Sequence, residues 1–317
     1  MSVSVVIATC DRPDMVCRCL DAVVPQLPPG GEVVLVVNRS DQVETIRRAV
    51  ERFEHVRLID EPRPGLSFAR NAGVRASCHP LLAFTDDDTV PRPDWLEQLV
   101  RPFDDPTVMA VTGDVRPLTL DTPGARLFEA YGGLGRGPEP ARYDAAWFRS
   151  FRRVAVPTWR IGATANAAFR AELFADPRIG PLDEALGVGT PTGCSEDTYA
   201  FYRILRAGGT IVYRPEAVVE HEHRATEAAL RRQVYAYSKG HVAYHLTTIT
   251  RDRDLRGLYR LSVELPRYAV RQAADIARGR AATPWWMAAT EIRGWTMGPF
   301  AWLLARGRAR RLRGGSR

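Results

Sequence analysis

The chain has 317 residues, of which 45% are hydrophobic and 26% charged; that is enough apolar mass for a large buried core and excludes a wholly disordered chain. The net charge of +7 is unevenly placed, with −6 up to His223 and +13 from Arg224 onward. The acidic front suits a cation site and argues against a nucleic-acid-binding module, of which no motif is present, whereas the basic tail suggests an anionic partner.

In chain order, Val3–Ala8 is a β-branched run that ends in Thr9-Cys10-Asp11-Arg12-Pro13. It starts without a basic leader pattern, so a secretory signal is not expected. Met15–Val24 predicts a helix, Pro25–Gly31 a turn, and Glu32–Val37 a second buried strand that ends in Asn38-Arg39-Ser40-Asp41. Val43–Phe53 predicts a helix and Val56–Ile59 a third strand. Strands alternating with helices at this spacing predict a parallel sheet covered on both faces. Ligands then lie beyond the carboxyl ends of the strands, where the polar turns fall.

Gly65–Ala76 reads as a loop leading into a helix, and Leu81–Thr85 as a strand ending in Asp86-Asp87-Asp88. Pro93–Val100 predicts a helix capped by Asp94. Val108–Val115 reads as a strand, and Thr119–Val156 as irregular, rich in Gly, Pro and aromatics. Ile161–Arg170 returns to pattern, Ser195–Ala207 predicts an amphipathic helix, and Thr210–Tyr213 a strand. After His223 the pattern is helical and basic, with disorder expected only at Arg313–Arg317. Cys10, Cys17, Cys19, Cys78 and Cys194 form no CxxC pair; a zinc site is not expected, while reduced thiols in a cytoplasmic protein are.

Three segments carry chemistry. Asp86-Asp87-Asp88 places three mutually repelling acids at a strand end, an arrangement that a cation would hold together. Carboxylates suit Mg²⁺ or Mn²⁺, although a solvated acidic turn fits the residues equally. Glu196-Asp197 opens a helix, where acids cap the dipole; one of them could instead deprotonate an acceptor hydroxyl. His221 and His223, two apart after a strand, could point the same way, and a neutral imidazole could join the carboxylates at a metal.

Taken together and in order, these segments resemble glycosyltransferase family 2 from Ser4 to Arg224. Pro64-Gly-Leu-Ser-Phe-Ala-Arg-Asn-Ala-Gly73 is similar to the family's donor-side helix, and Phe84-Thr-Asp-Asp-Asp-Thr-Val-Pro-Arg-Pro-Asp-Trp-Leu96 to its DxD region. Gly162–Arg170 and Leu182–Gly189 match its acceptor-side segments, with Thr164 where Gly is common, and Glu196-Asp197 with Arg203 and Gly208-Gly209 matches its "ED" helix. The resemblance implies a GT-A fold, a Rossmann-like and mostly parallel sheet with flanking helices, at 1–224. The nucleotide-binding half would span about 1–115 and the acceptor half about 116–224, followed by a basic helical extension at 225–317.

It also implies inverting, metal-dependent transfer from a nucleotide diphosphate sugar, UDP-sugar favoured, to a hydroxyl acceptor. That acceptor would be a glycan, a lipid-linked molecule, a peptide or a small natural product. Asp197 would be the base, with Glu196 as alternate. Asp86, Asp88 and His221 would hold Mn²⁺ or Mg²⁺, with His223 the second choice of imidazole. Thr9, Asp11, Arg12, Arg70, Asp86 and Asp87 would line the nucleotide-sugar pocket. The family's second strand usually ends in a pattern like VDNGS; here Val37-Asn38-Arg39-Ser40-Asp41 stands in its place, and Asn38 is expected to meet the base edge.

The tail interleaves Trp285, Trp286, Trp295 and Trp302 with arginines. That composition suits a peripheral contact with the inner face of a membrane. The same tryptophans equally suit packing onto the catalytic domain or onto a second copy of the chain. No apolar run is long enough to span a bilayer, since Glu291 and Arg293 interrupt Trp285–Leu304. A regulatory, inactive homologue is the alternative to an enzyme, and a sugar nucleotidyltransferase ranks lower because Ala8–Pro13 contains no Gly.

Overall fold

A computed structural model of the chain describes residues 2–314. The strands are β1 (Val3–Thr9), β2 (Glu32–Asn38), β3 (Val56–Glu61), β4 (Leu81–Asp86), β5 (Thr89–Pro91), β6 (Val108–Pro117), β7 (Ala141–Tyr143), β8 (Asn166–Arg170) and β9 (Thr210–His221). The helices are α1 (Pro13–Val23), α2 (Val43–Val50), α3 (Leu66–Ala76), α4 (Trp95–Val100), α5 (Pro123–Tyr131), α6 (Ala145–Ser150), α7 (Glu196–Arg206), α8 (Glu227–Asp252), α9 (Arg256–Tyr259), α10 (Leu265–Ala277) and α11 (Trp285–Gly314).

Among the described residues, the nine strands form one sheet in the order β3-β2-β1-β4-β8-β6-β9-β5, with β7 beside β9. β1 through β4 pair in parallel, as do β6 and β9; β8 runs antiparallel between β4 and β6. β1 is buried along its whole length, as a strand covered on both faces must be. Its alternation divides the core. Val3, Val5 and Ile7 pack with Val16 and Leu20 of α1 and Trp95 of α4. Val6 and Ala8 pack with Ala69 of α3 and with Tyr199 and Phe201 of α7. The expected Rossmann-like architecture with a helical extension is present.

Several boundaries differ from expectation. α4 begins at Trp95 rather than Pro93, and Asp94 does not cap it: its backbone is left-handed (φ 66°) and its side chain makes no capping bond. Burial of Trp95, whose Nε1 donates to Asn166 Oδ1 at 2.8 Å, sets the start of the helix instead. The stretch expected to be irregular holds α5, β7 and α6. Thr122 and Asp144 cap the two helices through bonds from Ala125 N (3.3 Å) and Trp147 N (2.8 Å). β9 runs on to His221 because a bulge opposite Gly113–Asp114 absorbs the Arg214–Val218 segment. At the chain end, Arg313 and Gly314 continue α11, while residues 315–317 lie outside the described ones.

α11 lies on α8 at backbone distance. A Cβ on Gly294 would sit 2.4 Å from Ser238 Cβ, and one on Gly298 2.5 Å from Val242 Cβ. On its other side, α8 presses Gly240 against the turn before α7, where a Cβ would sit 2.3 Å from Cys194 Sγ. Among the described residues no helix is long and apolar enough to cross a membrane.

Candidate functional site

β1 and β4 are parallel neighbours with Ala8 opposite Asp86, so the turns 9–12 and 86–88 emerge side by side at the carboxyl edge of the sheet. Thr9 Oγ1 donates to Asp87 Oδ2 at 2.7 Å. Arg12 Nη1 reaches Asp87 Oδ1 and Asp88 Oδ2, each at 3.1 Å. Burial and the neighbouring charges of Asp88 and Asp86 push the Asp87 carboxyl up to about 6, against the pull of Arg12 and Thr9. Asp11 is turned to Ser40, whose Oγ donates to it at 2.5 Å.

α3 carries Arg70, which is 2% exposed. Its guanidinium bridges two elements, with Nη2 2.5 Å from Asp86 Oδ1 and Nη1 2.7 Å from Glu196 Oε1. Burial and the adjoining Asp197 raise the Glu196 carboxyl to about 7, with Arg70 opposing. Asp197 is placed differently. It is half-buried, and its Oδ1 accepts from the Thr198 backbone N–H at 2.6 Å. Of the two acids at the start of α7, Glu196 is therefore committed to an ion pair and Asp197 is not.

β5 pairs with β9, Thr89 opposite His221, which brings His221 alongside the acidic turn. Its Nε2 lies 3.4 Å from Asp88 Oδ1, and Arg224 Nη2 lies 3.9 Å from Asp88 Oδ2. His223 does not face the acids. Its Nδ1 is 2.9 Å from His221 Nδ1, and its Nε2 is 2.8 Å from Glu129 Oε1 on α5. Burial, together with the neighbouring His221, lowers its pKa although Glu129 pulls the other way.

Asn38 has another task than meeting a base. Its Nδ2 donates to the carbonyls of Glu61 (2.9 Å) and Arg63 (2.8 Å), and its Oδ1 accepts from Gly65 N (2.9 Å). The amide thus pins the 61–65 loop that leads into α3. Glu129 lies in the segment expected to be irregular, and only the Thr122-Pro123 helix start could have flagged it. Arg224 ends the matched motif and was readable as a charge near the histidines.

A second cluster sits at the opposite, amino edge of the strands. Glu32, Cys78 and His79 are the only group of three ligand-type side chains, among the described residues, whose donor atoms all lie within 4.8 Å of one another; the cysteine spacing gave no sign of it. Asp86, Asp88 and His221 are not drawn together that tightly, since Asp86 is turned to Arg70.

A family model described as glycosyltransferase like family 2 matches residues 2–240. The chain is 30% identical over 161 residues to the pre-mycofactocin glycosyltransferase of Mycobacterium tuberculosis, a match covering 50% of this chain and 30% of that relative. It is 26% identical over 245 residues to glycosyltransferase AglE of Haloferax volcanii, covering 76% of this chain and 73% of that protein. The succinoglycan biosynthesis protein ExoM of Rhizobium meliloti is 27% identical over 256 residues, 76% of this chain and 74% of its own. Among solved structures, the mannosyltransferase PcManGT of Pyrobaculum calidifontis, in complex with GDP-Man and Mn²⁺, superposes with a TM-score of 0.65 at 21% identity, covering 94% of this chain and 87% of that one. TarS residues 1–349 of S. aureus superposes with a TM-score of 0.55 at 13% identity, covering 93% and 89%. These likenesses establish the fold.

Proposed function

The chain belongs to the glycosyltransferase family-2-like family and is a transferase, and from that premise we propose that it carries out metal-dependent, inverting transfer of a sugar from a nucleotide diphosphate sugar to an acceptor hydroxyl, with Asp197 as the base. The observation that carries this proposal is the division between the two acids of α7. Arg70 engages Glu196 at 2.7 Å and leaves Asp197 half-exposed beside it. A base must keep its lone pairs available to the proton that it takes.

Asp86, Asp88 and His221 would hold the metal. Two carboxylates and one imidazole suit Mn²⁺ or Mg²⁺, and three adjoining acids at one edge favour a cation. Bound there, the ion would neutralise charge on the departing diphosphate. The protein's own part is positional. Arg70 ties Asp86 to Glu196 and so keeps the metal edge and the base helix in register. Thr9 and Arg12 hold Asp87 and Asp88, and the Arg12 guanidinium remains near enough to meet phosphate oxygens. An acceptor hydroxyl deprotonated by Asp197 would attack the sugar from the face opposite the leaving group, inverting the anomeric centre.

UDP is the favoured donor base, and GDP is included in the test because the Pyrobaculum relative is complexed with GDP-Man. Melting temperatures are measured with UDP, GDP and dTDP and their sugars, with and without Mn²⁺. A native-state ligand raises the melting temperature by mass action. A metal-dependent rise with one nucleotide is expected. No rise with any of them would overturn the donor site.

A second element of the reading concerns the extension, and one observation favours it. Among the described residues, eleven of thirteen exposed large hydrophobic residues lie from Leu255 to Leu304, including Trp285, Ile292, Phe300, Leu303 and Leu304. Fourteen arginines against five acids share residues 251–314. Two copies of such a face would repel, whereas an anionic bilayer complements it. Flotation with phosphatidylglycerol vesicles at low salt is expected to carry the protein up. Absence of binding there, or self-association in sedimentation instead, would overturn it.

A further inference from the structure

The proposed metal ligands leave two neighbouring polar groups unused, Glu129 and His223, which continue from Asp88 and His221 in one chain linked at 2.8, 2.9 and 3.4 Å. A carboxylate has only lone pairs to offer, and of the two at the ends of this chain Glu129 lies at hydrogen-bond distance (2.8 Å) whereas Asp88 does not (3.4 Å), so the ring nitrogen facing Glu129 carries the hydrogen. His223 therefore holds its hydrogen on Nε2 and presents a bare Nδ1. His221 answers with a hydrogen on Nδ1. Its own Nε2 is then bare, and it points at the Asp88 carboxylate. Two electron-pair donors 3.4 Å apart with no hydrogen between them repel unless a cation shares them.

We propose that Glu129 and His223 are positioning residues, which fix the tautomer of His221 so that its Nε2 lone pair is directed to a divalent cation shared with Asp88. The proposal rests on the metal reading of Asp88 and His221. Glu129 is held for this work from two sides. Phe128, its neighbour on α5, stacks edge-on against the His223 ring at 4.8 Å. Gly133 closes over the carboxylate, where a Cβ would lie 2.5 Å from Glu129 Oε1.

Glu129→Gln tests the proton order without removing the side chain. A glutamine can turn its amide N–H toward His223 Nε2, which reverses both imidazoles and leaves a hydrogen on His221 Nε2, facing Asp88. ¹⁵N-histidine correlation spectra of the metal-free protein, which has six histidines, report tautomers directly. The expected result is Nδ1–H on His221 and Nε2–H on His223 in the wild type, with both exchanged in the variant. Mn²⁺ alone, titrated by electron paramagnetic resonance, is expected to bind Glu129→Gln about 10- to 100-fold more weakly, the usual cost of losing an outer-shell partner. A wild-type His221 carrying its hydrogen on Nε2 would overturn the relay. So would Glu129→Gln binding Mn²⁺ within about threefold of wild type while His221→Ala loses it, since the metal site would then stand without the relay. A wild type that takes up no Mn²⁺ would overturn the metal reading itself. Glu129→Ala, which leaves His223 free to choose its tautomer, is expected to fall between the two and separates reversal from simple loss.

Discussion

Two groups of ligand-type side chains sit at opposite ends of the same strands, and they differ in how far their lone pairs are already used. At the amino edge, Glu32 accepts from Ser4 Oγ (2.8 Å), the Cys78 backbone N–H (3.2 Å), Cys78 Sγ (3.2 Å) and Arg57 (2.8 Å). Partial burial alone would raise its pKa, yet these bonds hold it down at about 2. At the carboxyl edge the balance is reversed: burial wins, Asp87 rises to about 6 and Glu196 to about 7. The tighter cluster is therefore the settled one, and the looser cluster is the one under electrostatic load. Convergence of donor atoms marks a site less well than acids that burial and like charge raise in spite of their cationic partners.

The largest effect that would separate the two ends is on turnover. Asp197→Asn is expected to lower the transfer rate by about 10²–10⁴-fold, the range for a general base, while keeping the nucleotide- and Mn²⁺-dependent rise in melting temperature. Cys78→Ser, at the other end, is expected to leave turnover within about twofold. Loss of turnover in Cys78→Ser, or near-normal turnover in Asp197→Asn with loss in Glu196→Gln, breaks the contrast.

The next effect is on stability against pH. Burial and Asp197 raise Glu196 to about 7 in the fold against the pull of its partner Arg70, from an ordinary value of 4.5. Without divalent metal, stability should therefore fall as pH rises from about 4.5 to 7, by roughly 3 kcal/mol at most. Urea unfolding at pH 5 and pH 8 is expected to show the fall in the wild type and a flatter profile in Glu196→Gln. An equal slope in both would mean that Arg70 fully compensates the buried charge.

The smallest effect has the opposite sign. Glu32 is depressed in the fold, so its contribution is present above about pH 4.5 and is lost as pH falls toward 2. Glu32→Gln is expected to cost about 1–2 kcal/mol at pH 7, the worth of hydrogen bonds to a charged group reduced by solvent screening at a partly exposed site, with the deficit shrinking as pH is lowered from 5 toward 3. A deficit that does not change with pH would assign the loss to packing.

Much of this was legible in the sequence because it sits at strand ends. The apolar runs Val3–Ala8, Glu32–Val37 and Leu81–Thr85 announce parallel strands, and a parallel sheet fixes the edge at which Thr9, Arg12 and Asp86–Asp88 must meet. The Glu196-Asp197 pair was visible and the resemblance favoured Asp197 as the base, but the physical ground for that choice was not. It depends on Arg70, 126 residues away in sequence, and no local pattern encodes which acid that side chain will reach. The bonds of Asn38 were not legible for a related reason: its amide meets three backbone groups of a loop that only the fold brings back. Glu129 and the Glu32–Cys78–His79 cluster escaped notice because each joins segments without periodic or spaced signals. Thr122-Pro123, a capping residue before a helix-starting proline, was the one cue that the irregular stretch contained a helix.

The glycine-lined seam between α8 and α11 bears on how small this enzyme can be made. Gly240 leaves room for Cys194 and Ser195, the turn from which Glu196 and Asp197 start, while Gly294 and Gly298 let α11 press on the same helix. The wall behind the base is thus built from the basic extension. A chain cut at Arg224 would keep every residue of the candidate site yet lose that wall, exposing Phe128 and Tyr202, which pack on α8 and are 1% and 2% exposed in the intact fold. The smallest autonomous unit is expected to include α11, and a tag or fusion that bends that helix is expected to be felt at the carboxylates.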